Sequence, residues 1–180
     1  MKLILILSLL TLFTNVVVFS KSEEIKLEKI TMFNDLLEIK VPSKFTVMHD
    51  YEVKKMYPSD NLPRVVHADS LRGIRLAFNY KKEAGEEIRL AALKAGYLSD
   101  WQKADPKLKE LSEGLVTVDG RDMAYLGVLH KSPEKNYRFL FFTEYRGMLL
   151  NGELICQKKG YKDWILVGEK VMYSFHIREK

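Results

Sequence analysis

The sequence has little of what marks several large classes of protein. One cysteine, Cys156, in 180 residues excludes a domain that depends on disulfides within the chain. Ten glycines and five prolines without a repeat exclude collagen-like and proline-rich disordered chains. After the first twenty residues no apolar run is long enough to cross a bilayer, which excludes a multi-span membrane protein.

The first twenty residues form a block unlike the rest of the chain. Lys2 is followed by the apolar stretch 3–19, and Val18 and Ser20 occupy the minus-three and minus-one positions of a cleavage site. This layout is typical of a secretory signal peptide. The alternative is an uncleaved anchor, because the stretch is at the bottom of the spanning range of roughly 17–25 residues. The block has no cysteine for lipid attachment, which argues against a lipoprotein.

We therefore predict a cleaved signal peptide at 1–20 and one domain at 21–180, in a periplasmic or secreted protein. The chain carries 29 basic and 24 acidic residues, a formal charge of +5. Only Lys2 is charged in the leader, so the exported domain is mildly basic. Cys156 is predicted to be a small buried residue in a strand, since no His or Cys lies at a useful spacing.

Alternation of apolar and polar residues predicts most of the strands. Leu37, Ile39 and Val41 alternate with charged residues, and Pro42 ends that strand because it cannot donate to a ladder. Residues 137–145 are apolar on both faces, which predicts a central strand covered on both sides. The predicted strands are 29–33, 36–41, 53–57, 64–69, 73–80, 115–118, 121–129, 137–145, 148–150 and 153–157.

Turn signals and helical periodicity complete the prediction. Asn34-Asp35, Asp119-Gly120 and Asn151-Gly152 are predicted as tight turns between antiparallel strands. A helix is predicted at 86–101, where Glu86-Glu87 suits the positive end of the helix dipole. Its two apolar stripes place it well down on a sheet. The stripes are Ile88, Ala91, Ala92, Ala95, Leu98 and Leu90, Leu93, Tyr97, Trp101.

A second helix is predicted at 162–175. Its apolar face comprises Trp164, Val167, Val171, Met172 and Phe175, which we interpret as core packing and not as a ligand site. Strands, a helix, more antiparallel strands and a helix give an α+β fold. The doubly apolar central strand adds that helices cover both faces of the sheet, as an α/β/α sandwich.

Several of these pieces, in this order, resemble the PsbP-like superfamily, which includes DcrB-type bacterial exported proteins. They are the strand 37–45 that ends in a proline and an aromatic, the helix 86–101, the turn 117–121, the Asn151-Gly152 hairpin and the closing helix through Phe175. The resemblance spans 30–177 and implies the same α/β/α sandwich. It also implies a non-enzymatic role, as assembly factor, accessory subunit, secretion-effector chaperone or toxin-immunity protein. It transfers no site residues, and the missing lipid-attachment cysteine departs from the DcrB-type pattern.

No motif for catalysis, a cofactor or a metal stands out. The histidines, His49, His67, His130 and His176, are isolated, whereas zinc needs ligands that converge. His67, Asp69 and Ser70 are near one another, but Ser70 should point away, and we interpret the segment as the polar face of an edge strand. Asp119 and Glu153 are assigned to hairpin turns, and Asp119 is explained by turn chemistry. We predict no catalytic, cofactor or metal-binding residues.

Basic pairs near tyrosines are the remaining signal. Lys54-Lys55 precedes Tyr57 and Lys158-Lys159 precedes Tyr161, while Lys81-Lys82 forms a third pair. Such groups can follow a polyanion, but in an exported protein we interpret them as solvated surface, with no nucleic-acid partner. Attraction to anionic envelope lipids or to an acidic partner stays open.

These observations predict an exported, non-enzymatic binding protein that acts as an accessory or assembly factor for a protein partner. One alternative is an envelope immunity protein that neutralises a secreted toxin. Another is an envelope hydrolase whose site is assembled from distant residues.

Overall fold

The computed structural model describes residues 24–57, 62–82, 89–131 and 135–178. The predicted signal peptide, the 58–61 loop and the Glu86-Glu87 pair lie outside them. The described elements are β1 Leu27–Met32, β2 Leu37–Pro42, β3 Thr46–Val47, α1 Asp50–Met56, β4 Val65–Asp69, β5 Ile74–Lys82, α2 Leu90–Ala104, β6 Lys109–Val118, β7 Arg121–Leu129, β8 Asn136–Tyr145, β9 Met148–Gln157, α3 Tyr161–Tyr173 and β10 His176–Ile177.

The strands form two antiparallel sheets. The large sheet has the order β3-β4-β5-β9-β8-β7-β6, and the small one has the order β1-β2-β10. The predicted 137–145 strand corresponds to β8, which lies inside the large sheet and is buried on both faces, as its two-sided apolar pattern predicts. The α+β prediction is confirmed.

The main core lies on the face of the large sheet that α3 covers. Phe78, Phe139, Phe141 and Leu154 point to this face and are fully buried. The small sheet adds Leu37, Ile39 and Val41 to the same core, in the alternating pattern that the sequence shows. From α3, as predicted, the core receives Trp164, Val167, Val171 and Met172.

The opposite face of the large sheet carries α1 and α2. Val53 of α1 packs on Val66 and Ala77. Further along the sheet, α2 packs on Ala124, Leu140, Phe142 and Leu149 with Leu90, Leu93, Tyr97 and Trp101. Register shows that both helices share this face, because Ala77 pairs with Glu153 and Glu153 pairs with Leu140 across the strands. The sheet therefore has helices on both faces, as predicted.

The predicted strand at 53–57 is wrong, because this segment belongs to α1. Asp50 and Glu52 lie in the first helical turn and Lys54 and Lys55 in the last, an order that complements the helix dipole. The Glu52 carboxylate also accepts a hydrogen bond from the His49 backbone N–H at 3.0 Å. These helix signals outweigh the β-branched Val53.

The turn predicted at Asn151-Gly152 is also wrong. Both residues lie inside β9, and the chain reverses instead at Arg146 and Gly147, with φ of 50° and 73°. Gly152 serves packing, because a Cβ there would collide with the ring of Phe141. By contrast, the Asp119-Gly120 turn is confirmed, with φ of 53° and 72° as a type I′ turn requires.

The contact between α2 and the sheet is shallower than the two-stripe pattern predicts. No residue of α2 is fully buried, whereas five residues of α3 are. The stripe with Leu90, Leu93 and Trp101 contacts the sheet, whereas the alanines of the other stripe, Ala91, Ala92 and Ala95, are exposed. In the described part of the chain, no helix is long and apolar enough to cross a membrane.

Candidate binding cleft

A cleft of about 860 Å³ lies on the α1 and α2 face of the large sheet. Met56, at the end of α1, forms one wall, and Arg75 of β5 and Ile155 of β9 form part of the floor. Arg75 and Ile155 are direct cross-strand partners, so their side chains lie on the same face. The other lining residues are Gly73, Lys135, Asn136, Cys156, Gln157, Lys158 and Lys159.

Among the described residues, the four charged side chains that line this cleft are all basic. Lys158 and Lys159 follow β9, and Lys135 precedes β8. The Lys158 backbone N–H donates to the Lys135 carbonyl at 2.8 Å, which joins the two strand ends and their lysines. Among the described residues, no carboxylate forms an ion pair with these lysines or with Arg75. The cleft is therefore a concentrated region of positive charge.

Arg75 is oriented by Tyr57, the residue after α1. The Arg75 Nε–H donates to the Tyr57 hydroxyl at 3.1 Å, and the guanidinium carbon lies 5.5 Å from the centre of the tyrosine ring. Burial raises the pKa of the Tyr57 hydroxyl, despite the opposing effect of Arg75. The Tyr57 hydroxyl is thus neutral and orients the guanidinium without adding a negative charge.

Next to the cleft, a second arginine is neutralised. Arg138 Nη2 lies 2.5 Å from Glu153 Oε1, and its guanidinium stacks 4.7 Å above the ring of Trp101 in α2. Both side chains are largely buried, and the stacking of Arg138 on Trp101 links α2 to the sheet. The carboxylate of Glu153 is therefore paired directly with Arg138.

The basic pairs noted in the sequence lie on different surfaces of the structure. Lys158-Lys159 joins the cleft, but Tyr161 instead packs on Tyr137, with ring centres 5.9 Å apart. Lys54 and Lys81 line a separate cleft. Sequence reasoning missed Arg75 and Lys135, which are 60 positions apart. The only signal in the sequence was that alternation places Arg75 on the polar face of its strand. Alternation does not show which strands pair, so it could not predict that β5 lies beside β9.

Two histidines pair with carboxylates. His176 Nδ1 lies 2.7 Å from Asp119 Oδ2, which joins β10 to the β6–β7 turn. His130 Nδ1 lies 3.7 Å from the buried Asp105 Oδ2. Asp105 also accepts a hydrogen bond from the backbone N–H of Lys131 at 2.6 Å. This bond connects the end of α2 to the end of β7. Within the described ranges, no group of three His, Cys, Asp or Glu residues could hold a metal ion.

The predicted solvent-facing position of His67 is wrong. Its side chain is 7% exposed and lies edge-on to Phe78. Burial lowers the pKa of its imidazole. Asp69 accepts the backbone N–H of Arg72 at 3.2 Å and so stabilises the β4–β5 turn that contains Ser70. β3 pairs with β4, which makes β4 an inner strand.

The structure does not bring Asp119 and Glu153 together. Asp119 is in a turn, as predicted, beside His176 of the small sheet. Glu153 is in the middle of β9 and not at a turn, and it faces α2 through Arg138 and Trp101. The two carboxylates thus take part in separate contacts, Asp119 with the small sheet and Glu153 with Arg138.

The cysteine prediction is confirmed, since Cys156 is buried in β9. Burial raises the pKa of its thiol to about 12. The buried hydroxyl of Tyr137, its cross-strand partner, also has a raised pKa. Both groups are therefore protonated at neutral pH, and a thiol in this state is a poor nucleophile.

A second groove, of about 570 Å³, lies by α3 and the small sheet. Phe45 stacks on Trp164 there, with ring centres 5.6 Å apart. Its charges are mixed, and Lys170 Nζ lies 3.6 Å from Glu24 Oε1. The charged lining residues are Glu24, Lys26, Lys44, Asp69, Arg72, Lys162, Asp163 and Lys170.

Known structures share this architecture. The solution structure of the cyanobacterial PsbP protein (CyanoP) from Synechocystis is 16% identical, with a TM-score of 0.62 over 88% of this chain and 96% of that chain. The fold is PsbP-like. The finer resemblance to DcrB-type exported proteins stays a prediction.

Two further solved structures that resemble this chain have other described roles. LpqN, involved in cell envelope biogenesis of Mycobacterium tuberculosis, is 12% identical, with a TM-score of 0.56 over 86% of this chain and 91% of that chain. The Saccharomyces cerevisiae Ran-binding protein Mog1p is 8% identical, with a TM-score of 0.55 over 85% and 96%. At such identities the likeness establishes the fold alone. No protein-family model and no curated protein sequence matches the chain.

Proposed function

We propose that the protein is exported and acts without catalysis, as an accessory or assembly factor that binds another protein. The observation that carries the proposal is the basic cleft, where Arg75, Lys135, Lys158 and Lys159 line one concave surface to which no described carboxylate contributes. Such a surface attracts and orients a partner of opposite charge.

The state of the reactive side chains supports a non-catalytic role. The Cys156 thiol, with a pKa of about 12, is protonated, and the lowered pKa of His67 keeps its imidazole neutral in the core. Arg138 and Glu153 neutralise each other. These groups are used for packing and for connecting elements, in contrast to the exposed cations of the cleft.

The structural neighbours are compatible with this role. LpqN is described as involved in cell envelope biogenesis, and Mog1p as a Ran-binding protein. The proposed export is compatible with the envelope role described for LpqN, and the proposed binding activity is compatible with the protein binding described for Mog1p.

Export and binding can be tested together in cells that express the full chain with a C-terminal tag. We expect the protein in the periplasm or medium, with an N-terminus at Lys21, and cross-linked to one protein in a constant ratio. Reciprocal isolation through that protein should recover the chain. A cytosolic protein with residues 1–20 intact, or a free monomer in both isolations, would contradict the proposal. A toxin as the partner would establish the narrower immunity function.

A further inference from the structure

We propose that the cleft binds an extended acidic segment of a protein partner, in which carboxylates alternate with apolar side chains. This inference rests on the proposed function and specifies the partner's chemistry and the surface that recognises it. The volume of about 860 Å³ is within the usual range for a bound ligand, so a few residues of such a segment can be accommodated.

Charge is the first reason. Among the described residues, four cations and no carboxylate line the cleft, whereas the groove by α3 mixes both signs. Arg75 is held in place by the 3.1 Å bond from its Nε to Tyr57. Its remaining guanidinium N–H groups can bind a carboxylate, with less entropy lost because the side chain is already ordered.

The apolar part of the lining is the second reason. Ile155 lies on the floor between Arg75 and Arg138, its partners on the neighbouring strands. Met56 adds an exposed apolar side chain at the wall. In an extended segment, successive side chains point to opposite sides. Ile155 is buried beneath this floor, so alternate residues can contact the exposed Met56 while the others contact the lysines and Arg75.

The shape favours a protein segment over a membrane surface. The cations surround a concave space whose floor is the sheet itself, and Arg75 lies on that floor beside Ile155. A bilayer contacts cations that project from the protein toward its plane. Anionic lipid binding is accordingly the competing outcome in the test.

The test uses protein purified after export from cells that express the full chain. A short fluorescein-labelled peptide that alternates glutamate and leucine is titrated by anisotropy, with the glutamine–leucine peptide as its counterpart. We expect saturable binding of the acidic peptide only, weakened by salt. Lys158→Gln/Lys159→Gln and Arg75→Gln should each weaken binding roughly threefold to tenfold.

The matched control is Lys26→Gln/Lys40→Gln, which removes two exposed lysines on the opposite side of the large sheet. We expect it to leave binding unchanged, and thermal unfolding verifies that every variant is folded. Equal losses in the cleft and control variants would overturn the proposal, as would equal binding of both peptides. Phosphatidylglycerol vesicles that bind the protein through Lys158 and Lys159, when the acidic peptide does not, would overturn it in favour of a membrane.

This result is distinguishable from a failure of the proposed function. If cross-linking recovers a partner that Lys158→Gln/Lys159→Gln retains in full, the protein is a binding protein but the cleft is not its contact surface. If no partner is recovered at all, the proposed function fails, whatever the peptide measurement shows.

Discussion

At the scale of single residues, the reactive side chains and the charged side chains of the cleft differ in solvent exposure. Cys156, Tyr137 and His67 are buried and neutral, whereas the three lysines of the cleft are exposed and Arg75 is half-buried. The sequence predicts the burial of Cys156 because its neighbours in the strand are apolar. It does not predict that of His67, because the ring that covers it, Phe78, comes from the neighbouring strand.

The state of Cys156 predicts low reactivity. With a thiol pKa of about 12, we expect Ellman's reagent at pH 8 to react about a thousandfold more slowly with the folded protein than with the protein in urea, where the pKa is near 8.5. The absorbance of the released thiolate measures both rates. Rapid labelling of the folded protein would show that the strand is open at this point.

Gly152 should be required for packing and not for a turn. Gly152→Ala forces a Cβ into the ring of Phe141, and we expect it to lower the free energy of unfolding by about 1–3 kcal/mol. Gly96→Ala is the matched control, since a Cβ there meets nothing and alanine favours the helix by about 1 kcal/mol. Urea denaturation measures both. Recovery of stability in Gly152→Ala/Phe141→Leu would identify the ring as the cause, and a neutral Gly152→Ala would contradict this account.

His67 should make stability depend on pH. Burial lowers the pKa of the folded imidazole below its unfolded value of about 6.5. As pH falls through about 6.5, the unfolded chain takes up a proton that the folded chain does not, so stability decreases. We expect His67→Gln to lose part of this decrease between about pH 7 and pH 5 in urea titrations. His49→Gln is the control for loss of a surface imidazole, and a slope unchanged by His67→Gln would contradict the prediction.

At the scale of elements, the sequence predicts the strands and turns that are determined by residues close together in the chain. Alternation gives β2, two-sided apolarity gives β8, and Asp119-Gly120 gives the β6–β7 turn. Errors arise where a long-range contact decides. Gly152 resembles a turn residue until the ring of Phe141 covers it, and the alanine stripe of α2 resembles a buried face although the sheet contacts only one stripe.

The two long helices should differ in local stability. α2 has no fully buried residue, whereas α3 buries Trp164, Val167, Gly168, Val171 and Met172. Because local opening depends on the buried contacts that must be broken, we expect α2 amides to exchange at least about tenfold faster than those of α3. Hydrogen exchange followed by mass spectrometry measures this. Equal protection of both helices would contradict the shallow packing of α2.

At the scale of the whole molecule, the fold brings basic residues that are distant in the sequence to one surface. The formal charge of +5 is modest, and the sequence distributes basic residues along its length. Pairing of β5 with β9, and of β9 with β8, brings four of them to one cleft, while the groove by α3 has charges of both signs. Lys158-Lys159 could be recognised from the sequence as a basic pair, but its convergence with Arg75 depends on strand order.

The most direct test of the cleft as the contact surface is photo-cross-linking in living cells. A photoreactive residue would replace Met56 at the cleft or, as the control, Leu115 at the sheet edge, which are 41% and 54% exposed. We expect one cross-linked protein from position 56 only, and its loss when Lys158→Gln/Lys159→Gln is added. No product from position 56, or the same product from both positions, would contradict the account.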